Sequence, residues 1–369
     1  MYLSPINTQD LYQFLIKEKL HENETFCLYF SEKSNVEIAD LIKLLNKSEI
    51  PFFGAIFPAV IHNGEHYDNG VVISKLKNVV STHLVQGLDQ NKMTIPEFKI
   101  APNKNYCALT FVDGLAPNIS LFLSEMYDKY GKSISYLGGG AGSLSFVQKP
   151  CLFFKDGFFD NAALIVIVET QVSLGVTHGW KKLKGPLVAT KTNKNVIEEI
   201  NWEPAFLVYQ KYILEDSGKE ITKDNFFSIA KGYPFGMHKD YAECIVRDPI
   251  ATDENNRLVC VGEVPENTVL DLLKGEQSAL INAAENAAMI SRSSASSEVN
   301  NVILIDCISR TLFLEDHFSK ELAVIGRELK KSIKNENLTG ALTLGEISSY
   351  GNGNLEFFNK TTVVGLFHE

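Results

Sequence analysis

Apolar and polar residues fall along the first half of the chain in short blocks whose period changes. It switches between the two-residue alternation of strands and the 3.6-residue recurrence of helices. Residues 25–30 form a short apolar strand. Ser34 and Glu37 then stand three apart, the spacing of a capping box, and Ile38, Leu41, Ile42 and Leu45 follow as one helical stripe. Pro51 ends that helix, and residues 52–61 read as an apolar loop or short element interrupted by Gly54 and Pro58. Asn63-Gly64 marks a hairpin turn, with residues 70–76 as the returning strand. Residues 106–112 make another strand. Asn118 caps a helix whose buried face is Ile119, Phe122, Leu123 and Met126, and Gly131 stops it. Residues 134–137 feed a glycine run, and residues 150–154 and 158–168 flank the turn 155–157 as a hairpin. The strand over 172–178 ends at Gly179-Trp180.

A polar stretch at 191–195 breaks the pattern and places the boundary between two halves near residue 200. Beyond it, residues 204–214 are helical, and strands at 242–247 and 258–264 flank the turn 253–256. A helix over 277–290 presents Ala283, Ala284, Ala287 and Ala288, a small face suited to close packing. The serine-rich stretch 291–297 reads as an exposed loop. A buried strand at 302–307 precedes a helix marked by Phe318, Leu322, Ile325 and Leu329, and late strands cover 341–347 and 361–367. Adjacent strand pairs joined by turn signals predict an α+β fold, mainly antiparallel sheets packed with helices. Its two halves, 25–200 and 201–365, form one compact unit.

Composition narrows the function. The 369 residues suffice for two domains, and 45% hydrophobic content with 23 phenylalanines can fill a real core. A formal net charge of −10 argues against general nucleic-acid binding and against docking on an anionic membrane. No basic leader with an apolar core opens the chain, and no apolar run reaches the length of a membrane span. A cytoplasmic protein is expected. The six cysteines form no C-x-x-C pair, and most sit in apolar runs, as small buried hydrophobes do.

Candidate chemistry is sparse. The run Gly138-Gly139-Gly140-Ala141-Gly142 lacks the helix start of a dinucleotide site and the lysine of a P-loop. Two readings of it stay open: a strand-end turn or close backbone approach, and bare backbone that leaves room for a small ligand. His62 and His66 lie across the Asn-Gly turn and complete no zinc spacing. A single histidine can still ligate haem iron without any spacing signature, which leaves His62 and His178 as candidate haem ligands. Cys307 beside Arg310 admits a nucleophile reading, and hence an enzyme, but no base is identifiable by spacing. Arg247, Arg310 and Glu346 could orient a small polar ligand. Equally, Arg310 could pair with Glu321 or Glu346 as a structural ion pair.

The order of the short motifs resembles the FIST sensory proteins, in which a FIST N domain precedes a FIST C domain. In the first half the resemblance is carried by Phe57-Pro58-Ala59-Val60-Ile61, Gly70-Val71-Val72, the glycine run, and Gly179-Trp180 before Val188-Ala189-Thr190. In the second half it is carried by Pro204-Ala205 with Tyr209, Tyr241 with Arg247, Gly262-Glu263-Val264-Pro265 and Cys307-Ile308-Ser309-Arg310. Glu321, Gly345-Glu346-Ile347, and Asn359 with Thr361 complete it. Ser143 stands where the family often has an acidic residue after the glycines. The resemblance implies a sensor without catalysis of its own, with Gly139, Gly140, Gly142, Arg247, Arg310, Glu346 and Asn359 near a small ligand. It also implies output to a histidine kinase, a diguanylate cyclase or phosphodiesterase, or a chemoreceptor. Amino acids are among the ligands proposed for the family. One branch, the NosP-type proteins, binds haem and senses nitric oxide.

Overall fold

The computed structural model describes residues 1–238, 243–295, 298–331, 338–349 and 354–368. Four sheets and eight α-helices make up these residues, in an α+β arrangement as the pattern predicts. Parallel pairing occurs three times, each time across a helical crossover. Glu24–Ser31 pairs with Phe52–Phe57 around the helix Ile38–Lys47. Tyr106–Asp113 pairs with Ser135–Ala141 around Ile119–Tyr130. Val299–Cys307 pairs with Leu338–Thr343 around Ile308–Leu314 and Phe318–Leu329. A parallel strand needs such a crossover to return in the same direction. The other recorded pairings are antiparallel, so antiparallel sheet dominates.

Three of the four sheets are built from both halves of the chain. Glu346–Ser349 extends the sheet of Ser135–Ala141, with Glu346 opposite Gly139. Ala59–His62 pairs with Leu338–Thr343, and Val172–Thr177 pairs with Thr362–His368. A central strand such as Tyr106–Asp113 is buried at every position, because it has sheet on both edges and packing on both faces. The seven-stranded sheet draws in Lys181–Asn193 and Val196–Ile200, which pair with strands of the second half. The polar stretch at 191–195 is therefore a strand end and a tight turn, with Lys194 at φ 55°.

Several local expectations give way to tertiary contacts. Residues 52–61 are two strands in different sheets, Phe52–Phe57 and Ala59–His62. The hairpin partner across Asn63-Gly64 is Glu65–Tyr67, while Val71–Lys77 crosses to pair with Glu24–Ser31. The Ser34 hydroxyl is buried without a partner, and the helix starts at Ile38 with no side-chain cap. There the Glu37 N–H donates to Thr8 Oγ1 of the neighbouring helix at 2.8 Å, so a tertiary bond takes the place of a capping box. Asn118 holds the N-cap position, yet its amide donates to the Gln90 carbonyl at 3.0 Å rather than capping. Ser291 is buried in the last turn of the helix Gln277–Ser293, not in a loop. Residues 296–297, together with Tyr241 and Ala242, lie outside the described residues.

The first three glycines of the run lie inside a strand rather than in a turn, and Gly142 follows the strand end at φ 136°. Gly138 to Gly140 lie in Ser135–Ala141, and a Cβ at Gly138 would stand 1.7 Å from the Thr110 carbonyl oxygen. Close backbone approach, one of the two open readings, accounts for that glycine. The alanine face of Gln277–Ser293 works in the same way. It packs so tightly on Val172–Thr177 that a Cβ at Gly175 would lie 1.8 Å from the Ala287 carbonyl oxygen. Among the described residues no helix is long and apolar enough to cross a membrane.

Backbone oxygens cannot yield as a flexible side chain can, so Gly175→Ala must separate helix from sheet. Overpacking of this kind costs about 3 kcal/mol or more. Urea unfolding of the variant should show that loss at an unchanged m-value, whereas Gly326→Ala, inside the helix Phe318–Leu329 with open space around its Cβ, should cost nothing.

Candidate ligand cavity

A cavity of about 710 Å³ opens between strand ends and loops of the two halves, within the size range of small-molecule sites. One wall is the loop after Tyr106–Asp113 and the start of the following helix, with Leu115, Ala116 and Ile119. The opposite wall is the antiparallel pair Ile245–Thr252 and Leu258–Val261, with Asp248, Ile250 and Cys260. Ile308, Ser309 and Leu312, from the helix after the buried strand Val299–Cys307, form the floor together with Leu344 and Phe357. The lining is largely apolar, with a few polar groups placed on it.

The fully buried charge on this wall is Asp248. Its Oδ2 accepts from the Ser309 hydroxyl at 2.8 Å and pairs with Lys360 Nζ at 3.1 Å. Burial raises its pKa above the usual carboxylate range, against the pull of Lys360 and Ser309. Lys360 is itself buried, donates to the Lys231 carbonyl at 2.9 Å, and lies 4.8 Å from the Trp180 ring centre. Arg247, next to Asp248, turns away from the cavity. It donates to the carbonyls of Glu263 and Phe357 at 2.8 and 3.0 Å, and to Asn359 Oδ1 at 3.4 Å. Burial brings its pKa down to about 10.

Behind the floor lies a second polar cluster. Arg310 grips Glu321 with two nitrogens, Nε to Oε1 at 2.8 Å and Nη2 to Oε2 at 2.7 Å. Its remaining donors reach the carbonyls of His178, Leu280 and Lys360 at 2.6, 3.0 and 3.2 Å. Burial alone would lower the arginine's pKa, but Glu321 outweighs it and holds the guanidinium charged. Asp306 stands 3.4 Å from Arg310 Nε, and burial, followed by the charge of Glu321, pushes its carboxyl well up. Glu346 accepts from Thr343 Oγ1 at 3.0 Å and the Thr361 N–H at 3.1 Å, yet burial still raises it to about 8.

The sequence-predicted residues fall in several places. Asn359 borders the cavity, and Cys307 does too. Arg247 touches Asn359 from behind the wall, while Arg310 and Glu346 belong to the buried cluster, and Arg310 is bonded throughout to protein groups. Gly140 and Gly142 sit against Leu344, which borders the cavity in their place, and Gly139 packs against Thr343, Gly345 and Ile305. No histidine borders it. His178 Nδ1 accepts the Trp180 N–H at 2.9 Å and its Nε2 faces Cys244 and Glu243, while His62 lies in the hairpin strand Ala59–His62. Neither is in position to ligate an iron held in this cavity. Cys307 is buried, and burial pushes its thiol well above the ordinary range, which disfavours the nucleophilic thiolate. The sequence alone assigns no role to Asp248 or to Lys360. The available signal was two charged residues within each apolar run, Arg247 and Asp248 in 245–252 and Glu356 and Lys360 in 355–367, where a buried charge needs a partner.

Fold and cavity together define a two-part α+β protein with a cavity between its halves. The family models agree: the FIST N domain matches residues 25–203 and the FIST C domain residues 205–349. The chain belongs to the FIST family, whose domains are sensory ligand-binding domains of signalling proteins. A search of the curated proteins found no match.

Glu346 gives the cluster a pH signature. Its pKa is about 8 folded against 4.5 unfolded, so its contribution to stability is full below pH 4.5 and is lost as pH rises toward 8. Denaturant titrations between pH 5 and 8 should show stability falling by up to about 1.4 kcal/mol per pH unit from this group. Glu346→Gln, which can still accept from the Thr361 N–H, should flatten that slope; an unchanged slope contradicts the assignment.

Proposed function

We propose that this chain is a cytoplasmic sensor that binds a small molecule in the cavity between its two halves. Binding there would shift how the halves pack and would pass the signal by protein contact to a histidine kinase, a cyclase or phosphodiesterase, or a chemoreceptor. The observation that carries this reading is the cavity itself. It is apolar and ligand-sized, and its walls come from both halves, so one ligand would bear on two packed units at once. Membership of a sensory family supports the same reading, and the raised thiol pKa of buried Cys307 favours binding over thiol catalysis. An amino-acid-like ligand, the haem and nitric oxide version, and the identity of the output partner rest on the family alone.

A ligand that binds the folded state stabilises it, by about 2.7 kcal/mol at one hundred times its Kd. Thermal unfolding in a panel of small metabolites and haem should return at least one compound that raises Tm by several degrees. Ala251 is exposed and borders the cavity, so Ala251→Trp should crowd it and reduce that rise while leaving the ligand-free Tm within about 2 °C, a surface substitution being nearly neutral. A Soret band that appears with added haem and survives Ala251→Trp would place haem elsewhere. A panel without any shift contradicts the sensor reading and favours a ligand-free adaptor.

A further inference from the structure

The polar end of the ligand can be read from the wall of the cavity, taking as given that the cavity is the ligand site. Asp248 borders it and is 1% exposed. Its Oδ2 is taken by Ser309 and Lys360, whereas its Oδ1 is buried with no hydrogen-bond partner. A buried carboxylate oxygen without a donor is unfavourable, and folded proteins rarely leave one unless something else fills the need.

Charge around the cavity decides what that something is. The other charged side chains on the wall are Lys194, which is exposed, and Glu263, which is half-buried. The nearest buried cations are committed elsewhere, Lys360 to Asp248, the Lys231 carbonyl and the Trp180 ring, and Arg247 to backbone carbonyls behind the wall. An anionic head buried here would meet the like charge of Asp248 with no buried cation free on the wall to answer it. A cationic donor would supply Oδ1 with a charge-assisted hydrogen bond, about twice as strong as a neutral one. Around it, Leu115, Ile119, Leu344 and Phe357 offer apolar surface for the rest of the molecule.

We propose that the cavity recognises a primary or secondary ammonium on an apolar body, with the N–H donating to Asp248 Oδ1. Ser309 and Lys360 act as positioning residues that hold the carboxylate with that oxygen free.

Three probes sharing a phenyl body test this on the full chain: 2-phenylethylamine, 2-phenylethanol and 3-phenylpropanoate. Titrations followed by chemical shifts of residues 248–263 and 307–312 should give the amine an affinity at least tenfold above the acid and several-fold above the alcohol. Equal or tighter binding of the acid or the alcohol at those residues overturns the ammonium assignment and leaves the cavity standing as a ligand site. No shift there from any probe removes both. Asp248→Asn should reduce the amine to the level of the alcohol, and an undiminished preference for the amine in that variant overturns the role of Asp248. Because loss of the carboxylate leaves Lys360 without its charged partner and threatens folding, the probe series on the unaltered protein decides independently of the variant.

Discussion

The guanidinium of Arg310 is fully buried and bonds to segments that are far apart in sequence. Glu321 and Asp306 supply carboxylates, and His178, Leu280 and Lys360 supply backbone oxygens. These segments are the end of a first-half strand, two helices, and strands of the last third of the chain. A planar fork of five N–H donors can satisfy that many acceptors from one point, and no other side chain has this geometry. Removing one member of a buried charged cluster costs far more than the cluster contributes net, because the groups left behind stay buried and uncompensated. The arrangement is thus a constraint on how the halves dock rather than a reservoir of stability.

Lys360 connects that constraint to the cavity. Its carbonyl accepts from Arg310 and from Trp180 Nε1, while its ammonium pairs with Asp248 on the cavity wall. Asn359, one residue earlier, borders the cavity and receives Arg247. The buried cluster and the cavity therefore share one short stretch of chain, 359–361, which Thr361 ties on to Glu346. A ligand that shifts Asp248 pulls on the same backbone that Arg310 holds. This is a physical route from an occupied cavity to the packing of the halves, and a sensor needs such a route.

The elements were legible where periodicity is strong. The stripe of Ile38, Leu41, Ile42 and Leu45 and the alanine face of Gln277–Ser293 both fall on buried helix surfaces. What failed was information that is not local. The Ser34-to-Glu37 spacing carries the letters of a capping box, but Thr8, far away in sequence, takes the N–H. The glycines at 138–140 resemble a turn in isolation and are a strand because Thr110 passes against Gly138. The candidate site was half legible. Arg310, Glu346 and Asn359 were singled out, yet two of these are walled into a cluster behind the cavity. The roles of Asp248 and Lys360 were not legible because a charge in an apolar run declares its partner only after the chain has folded.

Hydrogen exchange of the native protein, with and without 2-phenylethylamine, reads the central claim most directly, since both walls of one cavity must respond to one ligand. Slower exchange should appear together in residues 114–120 of the first half and in residues 245–263 and 307–312 of the second. Protection confined to one half, or to surfaces away from these segments, would contradict a ligand site between the halves.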